Sequence, residues 1–382
     1  MHLYLSKVYN YRKTEKVGLD FVTARKVPIF TSEKKITGIM DLTNPLVYGV
    51  PFFVVLILLE LAYSRSHDEE KHLYEWKDLM ASSVMGLGAV VLEPLFKVIS
   101  AIVIFNLVYE VFNPELEGVR TNIMGYQSFG WAWYVWLICQ LLDDFSYYWF
   151  HRLNHTVRFF WAAHIVHHSS HHFNLGTGIR NGWFTLLYKP LFYMWLPMIG
   201  FHPGMVVVCM GIESLWQFQL HTQYIPKLGF LEKFLNTHTQ HQVHHAQNLE
   251  YLDKNHGGYL NLFDKLFGTW AEYDEQIEIK YGVIHPPSSH NPVVILLHEY
   301  QNIWNDVKST DNWRDKLMYI FGPPGWSPDG STLTVRQMQR LFKGEQKEGE
   351  SSNGRAEAGN VQLDLISLHV KPDNTAQVAK NE

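Results

Sequence analysis

Apolar stretches of nearly membrane-spanning length alternate with polar, histidine-bearing stretches along the chain. The apolar stretches are 45–63, 79–112, 129–150, 183–201 and 205–220. Each approaches or exceeds the roughly 20 residues that a spanning helix needs, and the second, interrupted around Pro94, predicts two shorter helices. The pattern therefore predicts an all-α fold, an integral membrane bundle of about four to six spanning or re-entrant helices under a cytosolic, histidine-rich helical cap.

A tight turn, GFHPG at 200–204, joins the last two apolar stretches. A hairpin that crosses a bilayer twice brings its two ends to the same side, and the dense histidine clusters flank this hairpin. Lys and Arg are absent from the turn but occur in 152–182 and 226–282. The positive-inside bias therefore predicts that the histidine clusters face the cytosol.

The chain divides by composition into four predicted parts. A polar, basic arm at 1–44 precedes a membrane and histidine-rich catalytic domain at 45–282. Mixed, helix-prone sequence at 283–342 predicts a cytosolic cap. The Gly/Ser/Glu-rich segment 343–382 has the composition of a disordered tail.

Charge and cysteine usage narrow the class of protein. Charged residues make up 18% of the chain, below the roughly 25% of a soluble domain. The net charge of −5 gives no reason to expect a nucleic-acid partner. Cys139 and Cys209 both lie in apolar segments, which predicts buried thiols rather than a disulfide or a cysteine metal site.

Histidines are concentrated in three motifs. His151 and His155 form HxxxH, 164–168 reads HxxHH and 241–245 reads HxxHH again. Positions i, i+3 and i+4 share one face of a helix, so each motif is expected to aim two or three imidazoles at one point. Uncoordinated, so many imidazoles would repel one another when charged, and metal binding removes that difficulty.

The number of ligands predicts two metal ions, because a structural zinc site closes at about four ligands. Imidazole suits iron, copper, nickel and zinc, so ligand type alone does not name the metal. The membrane argues for iron, because breaking an unactivated lipid C–H bond requires an oxidant made from dioxygen. Two alternatives stay open: a transporter or metal-handling protein with a histidine relay, and a zinc-dependent membrane hydrolase.

The order of these motifs, with an apolar hairpin between the second and the third, resembles the fatty acid hydroxylase/sterol desaturase superfamily of membrane diiron enzymes. The segments that carry the resemblance are FHRLNHTVRFFWAAHIVHHSSHHFNLGTGIR (150–180), QFQLHTQYI (217–225) and LNTHTQHQVHHAQNLEYLDKNHGGYLNLFDKLFGTW (235–270). Within the superfamily the chain looks most similar to the alkylglycerol monooxygenase branch and to bacterial sterol desaturase family proteins.

The resemblance implies a lipid hydroxylase or desaturase that uses two iron ions, O2 and an external electron donor, a reduced pterin or a redox protein. It also implies nine iron ligands. They are His151, His155, His164, His167, His168, His221, His241, His244 and His245. Gln217 replaces the first histidine of the HxxxH pair that some relatives have at His221, and is expected to lie just behind the ligands.

Four positions depart from the family pattern. Thr156 stands where the ether-lipid branch has a glutamate, which argues against ether cleavage. His171 and His172 are additional histidines, and His256 replaces an expected tyrosine. Thr156, His171 and His172 are the candidate catalytic positions, and the three histidines are expected to face substrate or support the ligands.

Overall fold

A computed structural model of the chain describes residues 45–67, 73–97, 103–116 and 118–351. The predicted arm at 1–44 and most of the predicted tail, 352–382, lie outside the described residues. The described part is helical apart from a short antiparallel hairpin in which Glu115 pairs with Arg120. The all-α prediction is confirmed.

The first half of the fold contains six helices and the hairpin in the described ranges. In chain order they are α1 (Pro45–His67), α2 (Trp76–Lys97), α3 (Phe105–Phe112), β1 (Glu115–Leu116), β2 (Val119–Arg120), α4 (Trp133–Thr156), α5 (Arg158–His168) and α6 (Leu175–Gly178).

The second half begins with short pieces and ends with longer helices. They are α7 (Thr185–Tyr188), a 3₁₀ turn (Lys189–Phe192), α8 (Trp195–Ile199), α9 (Pro203–Gln219), a 3₁₀ turn (Gly229–Lys233), α10 (His238–His244), α11 (Leu262–Phe267), α12 (Pro292–Lys308), α13 (Trp313–Phe321) and α14 (Val335–Ser351). Helix α14 thus continues nine residues into the segment predicted to be disordered, from Lys343 to Ser351.

Helices α4 and α9 form the centre of the fold and position the histidines. Buried Cys139 and Tyr147 of α4 belong to one apolar cluster with Met205 and Cys209 of α9. Both helices start at the end of the fold where the Phe129 backbone N–H donates a hydrogen bond to the Gly200 carbonyl. Both run from there toward the histidine motifs. At about 1.5 Å per residue, they carry the chain from that end to the histidine end.

A single residue separates α4 from α5. Val157 has an extended backbone (φ −118°, ψ 118°), as suits a β-branched residue, so it ends α4 and lets α5 fold back against it. Helix α12, from the segment predicted to form the cap, packs against α5, where buried Arg158 pairs with Glu299 at 2.8 Å and with Asp306 at 2.7 Å. The histidine-bearing helices are thereby held from both sides.

The predicted spanning helices need correction. Within the described residues, no helix has both the length and the apolar composition required to cross a bilayer. The clearest difference is at 183–201, which is not one helix but three short pieces, of which the second and third contain Pro190 and Pro197 in their first turn. Proline removes a backbone donor and clashes with the preceding turn. Gly200, at φ 116°, then provides the left-handed conformation that turns the chain into α9.

Candidate metal centre

Nine histidines converge in two adjacent groups at the ends of α4 and α9. The first group has five members, each with a ring nitrogen within 4.8 Å of the others: His151, His155, His164, His168 and His244. The second group has four members at the same spacing: His167, His221, His241 and His245. Every predicted ligand therefore lies in one group or the other, including His221.

Each HxxHH motif divides its histidines between the groups. His164 and His168 belong to the first group, while His167, between them, belongs to the second. At about 100° per residue, positions i and i+4 are about 40° apart on a helix, whereas i+3 is rotated about 60° the other way. The expectation that each motif aims at one point is thus wrong for the i+3 residue.

The division explains why the two groups touch. The rings of His168 and His245, one from each group, stack with centroids 4.3 Å apart. In the second HxxHH motif, His241 and His245 serve the second group and His244 the first. Each motif therefore links the two groups.

Hydrogen bonds fix the tautomers of several of these histidines. They are made by the outer ring nitrogen, Nδ1, whereas the inner ring nitrogen, Nε2, faces the other histidines of the group. His167 Nδ1 donates to the Arg180 carbonyl at 3.1 Å, and His221 Nδ1 donates to the Gln217 carbonyl at 2.8 Å. Because a carbonyl can only accept, each Nδ1 carries the hydrogen and each Nε2 presents a lone pair. These two lone pairs face each other at 3.1 Å, which is unfavourable unless a cation lies between them.

Burial keeps the imidazoles neutral. None of the nine exposes more than 9% of its surface. Burial lowers the pKa of His167 to about 4 and that of His244 to about 3, from an ordinary value of 6.5. Imidazolium ions therefore do not account for the close approach of the rings, and neutral imidazole is the form that binds metals.

The spacing of the inner nitrogens fits metal ions. A metal–nitrogen bond of about 2.1 Å places neighbouring ligands on one ion about 3 Å apart. The His151–His164 and His221–His241 Nε2 pairs are both 3.0 Å apart, and His164–His168 is 3.2 Å. The buried Nε2 atoms of His155, His244 and His245 have no hydrogen-bond partner among the described residues. The donor set therefore suits two ions, one in each group.

Aromatic side chains cover the groups. Trp161 lies 5.2 Å from the His155 ring, and buried Phe173 lies 5.2 Å from the His245 ring and stacks on Tyr281 at 5.0 Å. Such walls exclude water and strengthen electrostatic interactions inside the site.

The three candidate catalytic residues lie outside both groups. The Thr156 hydroxyl donates back to the Arg152 carbonyl at 2.9 Å within α4. His171 is exposed and near the Tyr281 carbonyl, and the His172 carbonyl accepts bonds from Ser170 and Thr177. None of the three forms a hydrogen bond with the nine histidines, and their catalytic role stays a prediction.

Three supporting residues were not identified from the sequence. Asp253 lies 3.5 Å from His155, and the Arg180 carbonyl holds His167. Asp78 in turn binds Arg180 at 2.7 Å in a buried ion pair. Asp253 and Asp78 are about a hundred positions from the residues they contact, and no spacing rule connects any of the three to the histidines. His256, expected near the ligands, is fully buried with its ring 4.9 Å from that of His155.

Comparison with known proteins identifies this region. Residues 136–269 match the model of the fatty acid hydroxylase family, and this range includes all nine histidines. Over these residues the chain is similar to the fatty acid hydroxylase family. The resemblance inferred from the motifs is thus confirmed.

Three similar relatives share one description. The chain is 33% identical to the alkylglycerol monooxygenase of Homo sapiens over 76% of its length, 36% identical to that of Xenopus tropicalis over 57% and 30% identical to that of Danio rerio over 73%. These alignments cover 61%, 47% and 59% of the relatives, so the chain spans less than two thirds of their length. No solved structure matches the chain.

Proposed function

We propose that this protein is an O2-dependent oxidoreductase that uses two iron ions to hydroxylate, or desaturate, a lipid C–H bond. The observation that carries the proposal is the pair of adjacent, buried imidazole groups within the region that is similar to the fatty acid hydroxylase family. When bound, the iron ions would supply the oxidising chemistry that no protein side chain provides. Hydroxylation would consume one O2, two electrons and two protons, and release one water.

The protein's own residues orient the ligands and keep water out of the site. Carbonyl groups of Gln217 and Arg180 orient the imidazoles of the second group. Aromatic walls keep water from the site, and the two electrons come from an external reductant, either a reduced pterin or a redox protein. A fixed, dry set of ligands is what the protein contributes to metal catalysis.

The substrate class follows from the relatives and from the surface. The relatives are named as monooxygenases of alkylglycerols. Large apolar side chains are exposed along α1 to α4, among them Leu59, Val91, Val111 and Leu137, each more than 60% exposed. So much exposed apolar surface is rare on a soluble monomer. We propose that this surface lies in a membrane, with the histidine end facing the cytosol, and that a lipid enters the site from the bilayer.

Metal analysis of protein purified without oxygen is the first test. The proposal expects two iron ions per chain after anaerobic addition of ferrous iron. Zinc retained in preference to iron, with hydrolysis of a lipid ester and no O2 consumption, would instead favour a hydrolase. Transport of a metal ion by reconstituted vesicles would favour a metal-handling protein.

The reaction is tested with purified, iron-loaded enzyme, O2 and a reduced pterin or a reduced redox protein. Alkylglycerols, fatty acids and sterols are offered in turn, and products are analysed by mass spectrometry. Gain of one oxygen indicates hydroxylation, loss of two hydrogens indicates desaturation and release of a fatty aldehyde indicates ether cleavage. With threonine at position 156, we expect weak ether cleavage that increases in Thr156→Glu. Failure of every lipid to stimulate O2-dependent oxidation of the reductant would overturn the proposal.

A further inference from the structure

One short loop contacts three of the five histidines of the first group. The His151 Nδ1 donates to the His256 carbonyl at 3.0 Å, and the His244 Nδ1 donates to the Lys254 carbonyl at 2.8 Å. The carboxylate of Asp253 lies 3.5 Å from His155 Nδ1. All three contacts are on the outer ring nitrogen, so the inner nitrogens remain directed into the group.

The loop holds an unfavourable backbone conformation. Asp253 and Asn255 both have φ of 55°, in the left-handed region, and they are the two non-glycine residues with positive φ in the described ranges. Such residues cost of order 1–3 kcal/mol each and persist where their surroundings fix them. In this loop the two left-handed residues alternate with Lys254 and His256, whose carbonyls face the histidines.

Buried polar anchors fix this conformation. The Asn255 side chain bonds to the Gln240 carbonyl and to both backbone groups of Ala271. Buried Asp264 accepts hydrogen bonds from the backbone N–H groups of His256 and Gly257 at 2.8 and 2.7 Å. The loop is thus anchored by contacts that do not involve the nine histidines of the two groups.

We propose that the loop Asp253–His256 is a preformed scaffold that orients the first histidine group, and that Asp253 is a positioning residue for His155. This inference rests on the proposed function, because it assigns the first group a metal ion. Asp253 is the one carboxylate within ion-pair distance of any of the nine histidines in the described part of the chain. A carboxylate that accepts from Nδ1 fixes the ring and makes Nε2 a better ligand.

Four single variants separate the side-chain oxygen from the backbone strain. Asp253→Ala removes the oxygen and keeps the strain, whereas Asp253→Gly removes both. Asp253→Asn keeps an oxygen at the position of the carboxylate that lies near His155 Nδ1, and asparagine tolerates positive φ. Glu272→Ala, at an exposed acidic residue beside Ala271, is the matched control.

The readout is metal binding, measured as ferrous iron retained against a chelator under anaerobic conditions. Each Asp253 variant is also combined with His221→Ala, which disables the second group, and with His155→Ala, which disables the first. In the His221→Ala background, Asp253→Ala and Asp253→Gly should weaken iron binding about 10- to 100-fold, while Asp253→Asn should restore most of it. In the His155→Ala background, the Asp253 variants should have no further effect.

The outcomes are distinguishable from failure of the proposed function. If the unmodified protein binds no iron, the proposed function fails. If it binds two ions and Asp253→Ala retains both with unchanged chelator kinetics, the positioning role alone is overturned. Iron binding restored by Asp253→Gly would assign the effect to backbone strain, and equal losses in both backgrounds would assign it to general destabilisation. Either result would refute the inference.

Discussion

Backbone carbonyl groups orient several of the histidines in the two groups. Four of the nine, His151, His167, His221 and His244, donate their Nδ1 hydrogen to a backbone carbonyl. A backbone acceptor cannot be lost by side-chain mutation, so these rings keep their tautomer through sequence change. The inner nitrogens then present lone pairs in a water-poor site, which a cation satisfies.

Removing one histidine ligand should reduce iron binding in its own group more than in the other group. We expect His168→Ala to lose the ion of the first group and to reduce turnover by more than the roughly 10- to 100-fold typical of supporting residues. Iron content should fall from two toward one, with the fold retained in a thermal melt. His290→Ala, at a half-exposed histidine outside both groups, is the control. Full activity and full iron content in His168→Ala would contradict the assignment of this ligand.

The buried histidines also predict how stability depends on pH. In the metal-free protein the pKa of His167 is about 4 and that of His244 about 3, whereas in the unfolded chain both are near 6.5. The unfolded chain therefore binds more protons below pH 6.5. Stability should fall as the pH drops from about 6.5 toward 4, by up to about 1.4 kcal/mol per pH unit for each such histidine.

Denaturant unfolding of metal-free and iron-loaded protein across this range provides the measurement. Iron should raise stability most near neutral pH, because protons compete with metal for the same nitrogens. A metal-free protein whose stability is flat between pH 4 and 6.5 would show that these imidazoles are not buried as neutral groups.

At the scale of elements, buried carboxylates serve two different roles. Asp78 of α2 pairs with Arg180 at 2.7 Å and accepts from Ser170, so it ties α2 to the segment that holds His167. Asp143 of α4 is fully buried, and neither of its oxygens has a hydrogen-bond partner in the described ranges. Breaking a buried pair is costly, while neutralising an unpaired carboxyl is not.

Matched asparagine substitutions should therefore have opposite effects on unfolding. Asp78→Asn is expected to reduce stability by about 3–5 kcal/mol, since it leaves the Arg180 charge buried and unpaired. Asp143→Asn is expected to leave stability unchanged or to raise it by about 1–3 kcal/mol. Thermal melts of the two variants in the same detergent compare them directly, and a large loss in Asp143→Asn would reveal a partner for this carboxyl.

Sequence patterns predicted which histidines converge better than they predicted how these histidines divide between the two groups. The i, i+3 and i+4 spacing identified eight of the nine histidines that converge, because local periodicity determines which residues share a helix face. The ninth, His221, was expected from the family resemblance alone. The spacing did not predict that His167 and His244 would serve the opposite group, which depends on how α5 and α10 pack together. Nor did it predict Asp253 or Asp78, whose contacts join residues about a hundred positions apart.

At the scale of the molecule, the two central helices run side by side from one end of the fold to the other. Helices α4 and α9 both begin near the Asn122 loop and the Gly200 turn, which are linked by the Asn122–Ile199 hydrogen bond. Both end at the histidine groups. Helix α4 has 24 residues, a length of about 36 Å, compared with about 30 Å for the hydrocarbon core of a bilayer. The two ends of the fold are therefore far enough apart to lie on opposite sides of a membrane.

Single cysteines can test this proposed orientation in intact cells. Met124→Cys places a thiol on the exposed loop at the start of α4, and Glu272→Cys places one on the exposed segment beside the histidine groups. The native Cys139 and Cys209 are fully buried, so background labelling should be low. With the histidine end in the cytosol, we expect an impermeant reagent to label the cysteine at 124 from outside. The cysteine at 272 should react only after the cells are opened. If both thiols react only in opened cells, the molecule does not cross the bilayer, and its exposed apolar helices rest on the cytosolic face instead.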